Sequence, residues 1–411
     1  MNNTKPVHAP QQLFPVIDDC LQIGGISLTR LAQRVGKSPF YAYDRNLITK
    51  RVQHLRSSLP QEISLHYSVK ANPMPALLQH MANLVDGFDV ASSGELKLVL
   101  DTLMKPDQIS FAGPGKTDAD LAQSIAAGVI INLESENELE RAARIGETLG
   151  ITPQIVVRVN PDFELKSSGM KMGGGSKQFG IDAEQVPPLL KRIGLLGLDF
   201  HGFHIYSGSQ NLNPAAIIEA QASTLELAIR LAEHAPQAVR LLNIGGGFGI
   251  PYFPGEAPLD LLPIAENLDD WLPRIKTRLP EVKVVLELGR YLVGEAGIYV
   301  CRVIDRKVSR GQVFLICDGG MNHNLAASGN LGQVIRKNYP VAIGNKMRGE
   351  ERETVSIVGP LCTPLDLIAE KMEMARADVG DLIVIFQSGA YGLTASPTAF
   401  LSHPIPNEVL V

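Results

Sequence analysis

Cysteine is scarce in this chain. Cys20, Cys301, Cys317 and Cys362 are the only four in 411 residues, and none forms a C-x-x-C pair. That argues against a disulfide framework and a thiolate zinc site, and it predicts a reducing, cytoplasmic setting. Positive charge is not in excess either: 38 Lys and Arg stand against 43 Asp and Glu, a net charge of −5. Such a balance gives no global attraction to nucleic acid or to an anionic membrane. No apolar run approaches the ~20 residues that span a bilayer. The opening MNNTKPVHAPQQLFPVIDD lacks a basic segment followed by an apolar one, so no signal peptide is expected. Low-complexity tracts are also missing. Apolar residues, by contrast, make up 45% of the chain, enough for large cores, and the length predicts two domains.

From about residue 62 the sequence alternates short β-rich runs with longer amphipathic stretches. The runs are SLHYSVK (64–70), GFDVAS (87–92), ISFAG (109–113), VIINLE (129–134), QIVVRVN (154–160), GLDFHGFHIY (197–206), VRLLNIG (239–245) and KVVLEL (283–288). Eight strands alternating with helices over about 250 residues is the pattern of a (β/α)8 barrel. An open doubly wound sheet is the alternative, and the strand count favours the barrel. The remainder is β-rich: PFYAYD near the start, then GIYVCRVIDRKV, QVFLICDGG, ETVSIVGPLC, DLIVIFQSGAYG and EVLV. The reading is a barrel over 44–290 and a second, all-β domain built from 1–43 and 291–411.

Chemistry in such barrels collects at the carboxyl ends of the strands. Lys70 ends the first run. A strand-end lysine is ordinarily just solvated, but a desolvated one can form a Schiff base with an aldehyde such as pyridoxal 5'-phosphate (PLP). Gly245, Gly246 and Gly247 end the seventh run, where bare backbone N–H groups can approach a phosphate. Glu287 ends the eighth, followed by Gly289 and Arg290. Its carboxylate either pairs with Arg290 or holds a proton on a pyridine nitrogen, which strengthens the ring as an electron sink. His201 and His204 lie on the sixth run at a spacing that places them on opposite faces, against a shared metal. His204, nearer the end, suits stacking on a flat ring or a plain core position. Ser207 and Ser209 follow and can donate to a phosphate. Asp89 and Arg158 close the second and fifth runs. KSSGMKMGGGSKQFG (166–180) lacks the P-loop spacing and reads as a cover over the site, its Lys166, Lys171 and Lys177 on a solvated face. Cys362, between Gly-Pro and Pro, sits on a turn rather than in a core, and Tyr391 lies in a similar turn.

YSVKAN, FDVASSGEL, GGGFG, ELGR, GPLC and GAYG occur in that order. Together they resemble the fold-type III PLP-dependent decarboxylases, the family of diaminopimelate, ornithine and arginine decarboxylases, over nearly the whole chain. The resemblance implies an alanine racemase-like barrel plus β-domain. It implies that Lys70 carries PLP, that Glu287 pairs with the ring nitrogen and that His204 stacks on the ring. Ser209, Gly245, Gly246, Gly247, Gly289, Arg290 and Tyr391 would surround the phosphate or the substrate, with Asp89 and Arg158 in support. Cys362 would reach the partner's site in a head-to-tail homodimer and protonate the carbon that CO2 leaves. FELKSSGMKMGGGSKQFGID and DGGMNHNLAASGNLGQVIRKNYPVAIGN are similar to a subgroup associated with exosortase and exopolysaccharide gene clusters, and to a decarboxylase of carrier-protein-bound glutamate. The chain departs from the diaminopimelate and ornithine enzymes where Thr363 replaces their acidic residue and Leu288 a proline, and around Leu401-Ser402-His403-Pro404. These changes make a free diamino acid with a charged far end less secure as the substrate, and the sequence leaves a free and a carrier-linked amino acid both open. An amino-acid racemase and a non-catalytic PLP-binding homologue are the alternatives. Glu287 speaks against the racemase, whose fold is expected to place arginine there, and the presence of both Lys70 and Cys362 speaks against the inactive homologue.

Overall fold

A computed structural model describes residues 9, 11–163, 170–171, 173–333 and 335–411. The chain forms two compact units. One comprises the N-terminal segment through Arg51, Ile250–Ala257 and Arg290–Val411; the other comprises Val52–Gly249 and Pro258–Gly289.

The second unit is a closed barrel of eight parallel strands: β1 (Ser64–Ser68), β2 (Gly87–Val90), β3 (Ile109–Phe111), β4 (Ile130–Leu133), β5 (Gln154–Asn160), β6 (Asp199–Ile205), β7 (Leu241–Gly246) and β8 (Lys283–Leu288). Each pairs with the next in sequence, and β8 closes on β1. The strands are buried on both faces, which is why they read as nearly continuous apolar runs. Short polar signals set the helix starts. Ser92, Thr117 and Ser135 cap helices Ser93–Leu100, Asp118–Ala127 and Glu136–Leu149 by accepting from backbone N–H groups.

Two strands differ instructively from expectation. β1 stops at Ser68, and Lys70 sits on a single 3₁₀ turn, Val69–Ala71. The Asn72 side chain accepts from Met74 N–H at 3.1 Å, which turns the chain out of the sheet. β6 is irregular between Phe200 and Gly202. A Cβ on Gly202 would lie 1.8 Å from the Leu241 carbonyl oxygen, so only glycine lets β7 run this close.

In the first unit the long strand Gly297–Ser309 is central. It pairs antiparallel with Leu382–Ile385, Gln312–Cys317 and the early strand Phe40–Tyr43. Phe40–Tyr43 also pairs in parallel with Asn407–Leu410, so PFYAYD does complete this sheet. The unit is not purely β, for a helix, Leu28–Val35, packs Leu28 and Leu31 against Phe40, Ile298 and Val384. The strand Leu367–Ala375 carries little strand signal, being rich in Ala, Glu, Lys and Met. Pairing with Arg352–Val358 overrides that propensity.

Candidate active site

The register of the barrel brings the strand-end residues to one level. Arg158 lies beside His204, and His204 beside Asn243. Ser68 lies beside Asp89, and Asp89 beside Ser110. The result is a polar layer at the carboxyl end of an apolar barrel.

Glu287 is the centre of this layer and is 6% exposed. Its Oε1 accepts from Ser68 Oγ at 2.7 Å, and its Oε2 from Asn243 Nδ2 at 3.3 Å. His204 Nε2 stands 3.2 Å from Oε2, without hydrogen-bond alignment. Burial opposes the carboxylate's charge. The His204 imidazole, the positive charge of Lys70 and the Ser68 hydroxyl outweigh burial and hold Glu287 well below the ordinary carboxylate range. A buried group that stays anionic is suited to keeping a proton on a basic ring nitrogen.

His204 is turned by its other nitrogen: Nδ1 lies 3.1 Å from Asn132 Oδ1. Asp89 Oδ1 accepts from the Ser110 hydroxyl and lies 3.4 Å from His66 Nδ1. Arg158 donates to Glu134 Oε1 at 2.7 Å, and its guanidinium lies 5.0 Å from the centre of the Phe179 ring. Glu134 also accepts from the N–H groups of Gly113 and Gly180. Lys70 is exposed, its Nζ 5.9 Å from the centre of the Tyr206 ring. His201 belongs elsewhere, with Nε2 3.0 Å from Asp199 Oδ2.

Among the described residues, three buried polar atoms in this layer have no hydrogen-bond partner: Asp89 Oδ2, Asn132 Nδ2 and His204 Nε2. Buried polar atoms are seldom left so, and their convergence beside an exposed lysine fits a polar aromatic cofactor. The glycine turn fits a phosphate. Gly245 and Gly247 have φ of +70° and +76°. A Cβ on Gly246 would lie 2.0 Å from the Glu287 carbonyl oxygen, and one on Gly247 2.2 Å from that of Gly208. The turn is laced to the neighbouring loop, which carries Ser209, by Asn211 N–H to Gly247 C=O and Gly249 N–H to Asn211 C=O. Gly289 is also confined, though less tightly: a Cβ there would meet that of Ala71 at 2.9 Å. PLP is therefore well matched by Lys70, Glu287, His204 and the glycine turn.

The other unit holds Arg290, Tyr391 and Cys362. Arg290 donates to the Tyr252 hydroxyl at 2.7 Å, with its guanidinium carbon 4.6 Å from the centre of the Tyr391 ring. Among the described residues it has no carboxylate partner. Cys362 is exposed on the turn after Arg352–Val358. The cover expected at 166–180 falls in large part outside the described residues. Lys166 is outside them, Lys171 lies in a two-residue strand with Met170 opposite Ser209, and Lys177 is half-buried.

Sequence reading missed Ser68, Asn132, Asn243 and Glu134. Each is a polar residue ending or interrupting an apolar strand run near its carboxyl end, and that interruption is the signal that was available. Tyr252, which holds Arg290, gave no such signal.

A family model for the pyridoxal-dependent decarboxylase, pyridoxal binding domain, matches residues 45–294. The chain is 37% identical over 389 residues to the L-glutamyl-[BtrI acyl-carrier protein] decarboxylase of Niallia circulans, covering 93% of this chain and 90% of that one. It is 33% identical to the diaminopimelate decarboxylase of Aquifex aeolicus, covering 96% and 91%. The crystal structure of Helicobacter pylori diaminopimelate decarboxylase complexed with L-lysine superimposes with a TM-score of 0.81 at 27% identity, covering 93% and 94%. Barrel, polar layer, glycine turn and these likenesses converge, and the chain belongs to the pyridoxal-dependent decarboxylase family, as an enzyme that uses PLP to decarboxylate an amino acid.

Proposed function

We propose that this enzyme removes the α-carboxylate of an amino acid whose far end is joined to a carrier protein rather than free. The observation that carries the substrate reading is at position 363. Thr363 stands where diaminopimelate and ornithine decarboxylases are expected to present an acid to a distal ammonium group. Its hydroxyl instead accepts from Leu365 N–H at 3.3 Å and closes its own turn. The likeness to a decarboxylase of carrier-bound glutamate points the same way. A bacterial biosynthetic pathway such as exopolysaccharide production is the setting that the subgroup resemblance suggests. The four free cysteines suit a cytoplasmic location, and no described helix is long and apolar enough to cross a membrane.

Bound PLP supplies an electron sink for the pair left on the α-carbon when CO2 departs. In this reading Lys70 holds the cofactor and Glu287 keeps the proton on its ring nitrogen. His204, fixed by Asn132, covers the ring face. The N–H groups of Gly245, Gly246 and Gly247, with Ser209 and Gly289, receive the phosphate. Arg290 and Tyr391 offer an unneutralised cation and a phenol to the phosphate or the substrate. Asp89 and Arg158 support the lysine and the ring. Cys362, from the second subunit of a homodimer, gives the α-carbon its proton.

The test is CO2 release by PLP-loaded protein from free diaminopimelate, lysine, ornithine, arginine and glutamate, and from glutamate on a phosphopantetheinylated carrier protein. Release from the carrier-bound substrate alone is expected. Efficient release from free diaminopimelate would overturn the substrate reading. Cys362→Ala should lower the rate and misplace the proton; full rate with unchanged product would remove Cys362 from the mechanism.

A further inference from the structure

Beneath the turn that carries Cys362 lies a buried carboxylate that the reaction scheme does not use. Asp366 is 3% exposed. Its Oδ2 accepts from Leu361 N–H at 2.8 Å, one residue before the cysteine. Its Oδ1 accepts from Met321 N–H at 2.7 Å, in the turn that follows strand Gln312–Cys317. The main chain of the same residue closes the loop. Gly359 N–H donates to the Asp366 carbonyl at 3.1 Å, and Asp366 N–H donates to the Thr363 carbonyl at 3.2 Å. Cys362 is therefore enclosed in a loop whose ends are fastened by one residue's backbone and side chain together.

The carboxylate also explains two glycines. A Cβ on Gly320 would lie 2.1 Å from Asp366 Oδ1, and a Cβ on Gly359 would lie 2.3 Å from Oδ2. DGGMN and GPLC thus carry glycine where the Asp366 carboxylate lies against their backbones. Burying a carboxylate is costly, and burial does push this one up from its ordinary range. Hydrophobic packing would hold a turn without that cost, but it would not fix two backbone N–H groups at defined points.

We infer that Asp366 is a positioning residue for Cys362: it pins the GPLC turn to the DGGMN turn and so sets where the thiol can deliver a proton. The inference rests on the proposed role of Cys362 for its catalytic meaning, but not for its geometry. Asparagine at 366 would keep one acceptor oxygen and turn an NH2 group toward a backbone N–H, losing one of the two fastenings. Whichever bond is lost, that to Leu361 or that to Met321, the GPLC turn is no longer pinned to the DGGMN turn, and Cys362 gains freedom to move.

The experiment compares Asp366→Asn with the parent protein in a Cys20→Ser background. Cys301 and Cys317 are buried, which leaves Cys362 as the exposed thiol. Alkylation by iodoacetamide, in which the sulfur displaces iodide and releases a proton, is followed by mass spectrometry. A Cys362 rate at least threefold faster is expected, with PLP affinity unchanged. An unchanged or slower rate in a folded variant overturns the inference. With an active substrate, kcat should fall while KM holds, and a rising share of product should leave as aldehyde instead of amine: the proton would go to the cofactor instead of the α-carbon, water would supply the aldehyde oxygen, and the amino group would stay behind on the cofactor, which would be used up as its amine form. If Cys362→Ala shows that the thiol has no catalytic part, the alkylation rate alone judges Asp366. Should Asp366→Asn fail to fold, hydrogen exchange of the wild-type Leu361 amide decides: slow exchange supports the fastening, and exchange at the free-peptide rate overturns it.

Discussion

Acid should weaken the β-rich unit through one histidine. His323 is 1% exposed and held as a neutral ring. Its Nε2 lies 3.0 Å from the Pro404 carbonyl oxygen, so this nitrogen carries the hydrogen, and Nδ1 lies 3.3 Å from the Tyr299 hydroxyl, which can donate to it. Burial dominates and, with His403 nearby, lowers the pKa from 6.5 to about 4, although the bond to Pro404 opposes the shift. The folded pKa lies below the unfolded one, so between these values the unfolded chain binds more protons. Stability from this group is therefore complete above about pH 6.5 and drains away as pH falls toward 4. The shift corresponds to about 3 kcal/mol at 1.36 kcal/mol per pH unit, of which a little over 2 kcal/mol falls between pH 7.5 and 4.5. Buried carboxyls with raised pKa, such as Asp366 and Glu408, act in the opposite direction over part of this range. The informative quantity is thus the difference between wild type and His323→Gln. Urea unfolding should be followed at pH 7.5, 6.0 and 4.5 by near-ultraviolet circular dichroism, since Tyr41 and Tyr299 belong to the same cluster. Wild type should lose about 2–3 kcal/mol more than the variant on going from pH 7.5 to 4.5. Parallel losses in the two proteins would refute the reasoning.

Glu287→Gln keeps the shape of the group but not its charge, and kcat for CO2 release should fall about 10²-fold or more while PLP still binds; a rate within threefold of wild type would contradict its assignment. Gly247→Ala requires a Cβ 2.2 Å from the Gly208 oxygen at a φ of +76°, so PLP affinity measured by absorbance titration should drop at least about tenfold. Glu134→Ala strands the Arg158 guanidinium, 8% exposed, without its carboxylate. The expected cost is about 3–5 kcal/mol, seen as a fall in Tm of about 10 °C in a thermal melt; an unchanged Tm would show that the pair contributes little.

Periodicity alone made the barrel readable. Parallel strands buried on both faces must be apolar throughout, and the eight runs stand out for that reason. β5 and β8 have the boundaries that their sequences predict, Gln154–Asn160 and Lys283–Leu288. The β-rich unit was less legible. Leu367–Ala375 has helix-forming residues and becomes a strand only because Arg352–Val358 offers it a ladder. The small antiparallel strands Val16–Ile17, Cys20–Ile23 and Ile26–Ser27 are too short to leave a pattern.

Lys70, the Gly245–Gly247 run, Glu287 and Cys362 were visible in the sequence because each sits in a local motif: a strand end, a glycine turn or a proline-flanked turn. Their partners were not. Ser68 bonds to a carboxylate 219 residues away, and Asn132 to a histidine 72 residues away. Nothing near either residue in sequence reports such a bond: the first exists only when the barrel closes β8 onto β1, and the second only when β4 and β6 flank β5. The same holds for Asp366, whose two backbone partners lie 5 and 45 residues off and meet only in the folded sheet. The sequence by itself determined which elements form and where reactive side chains stand along them, because those are short-range matters of pattern and backbone freedom. Tertiary structure alone decided which of those side chains are charged, held and fastened, because that depends on burial and on hydrogen bonds between distant strands.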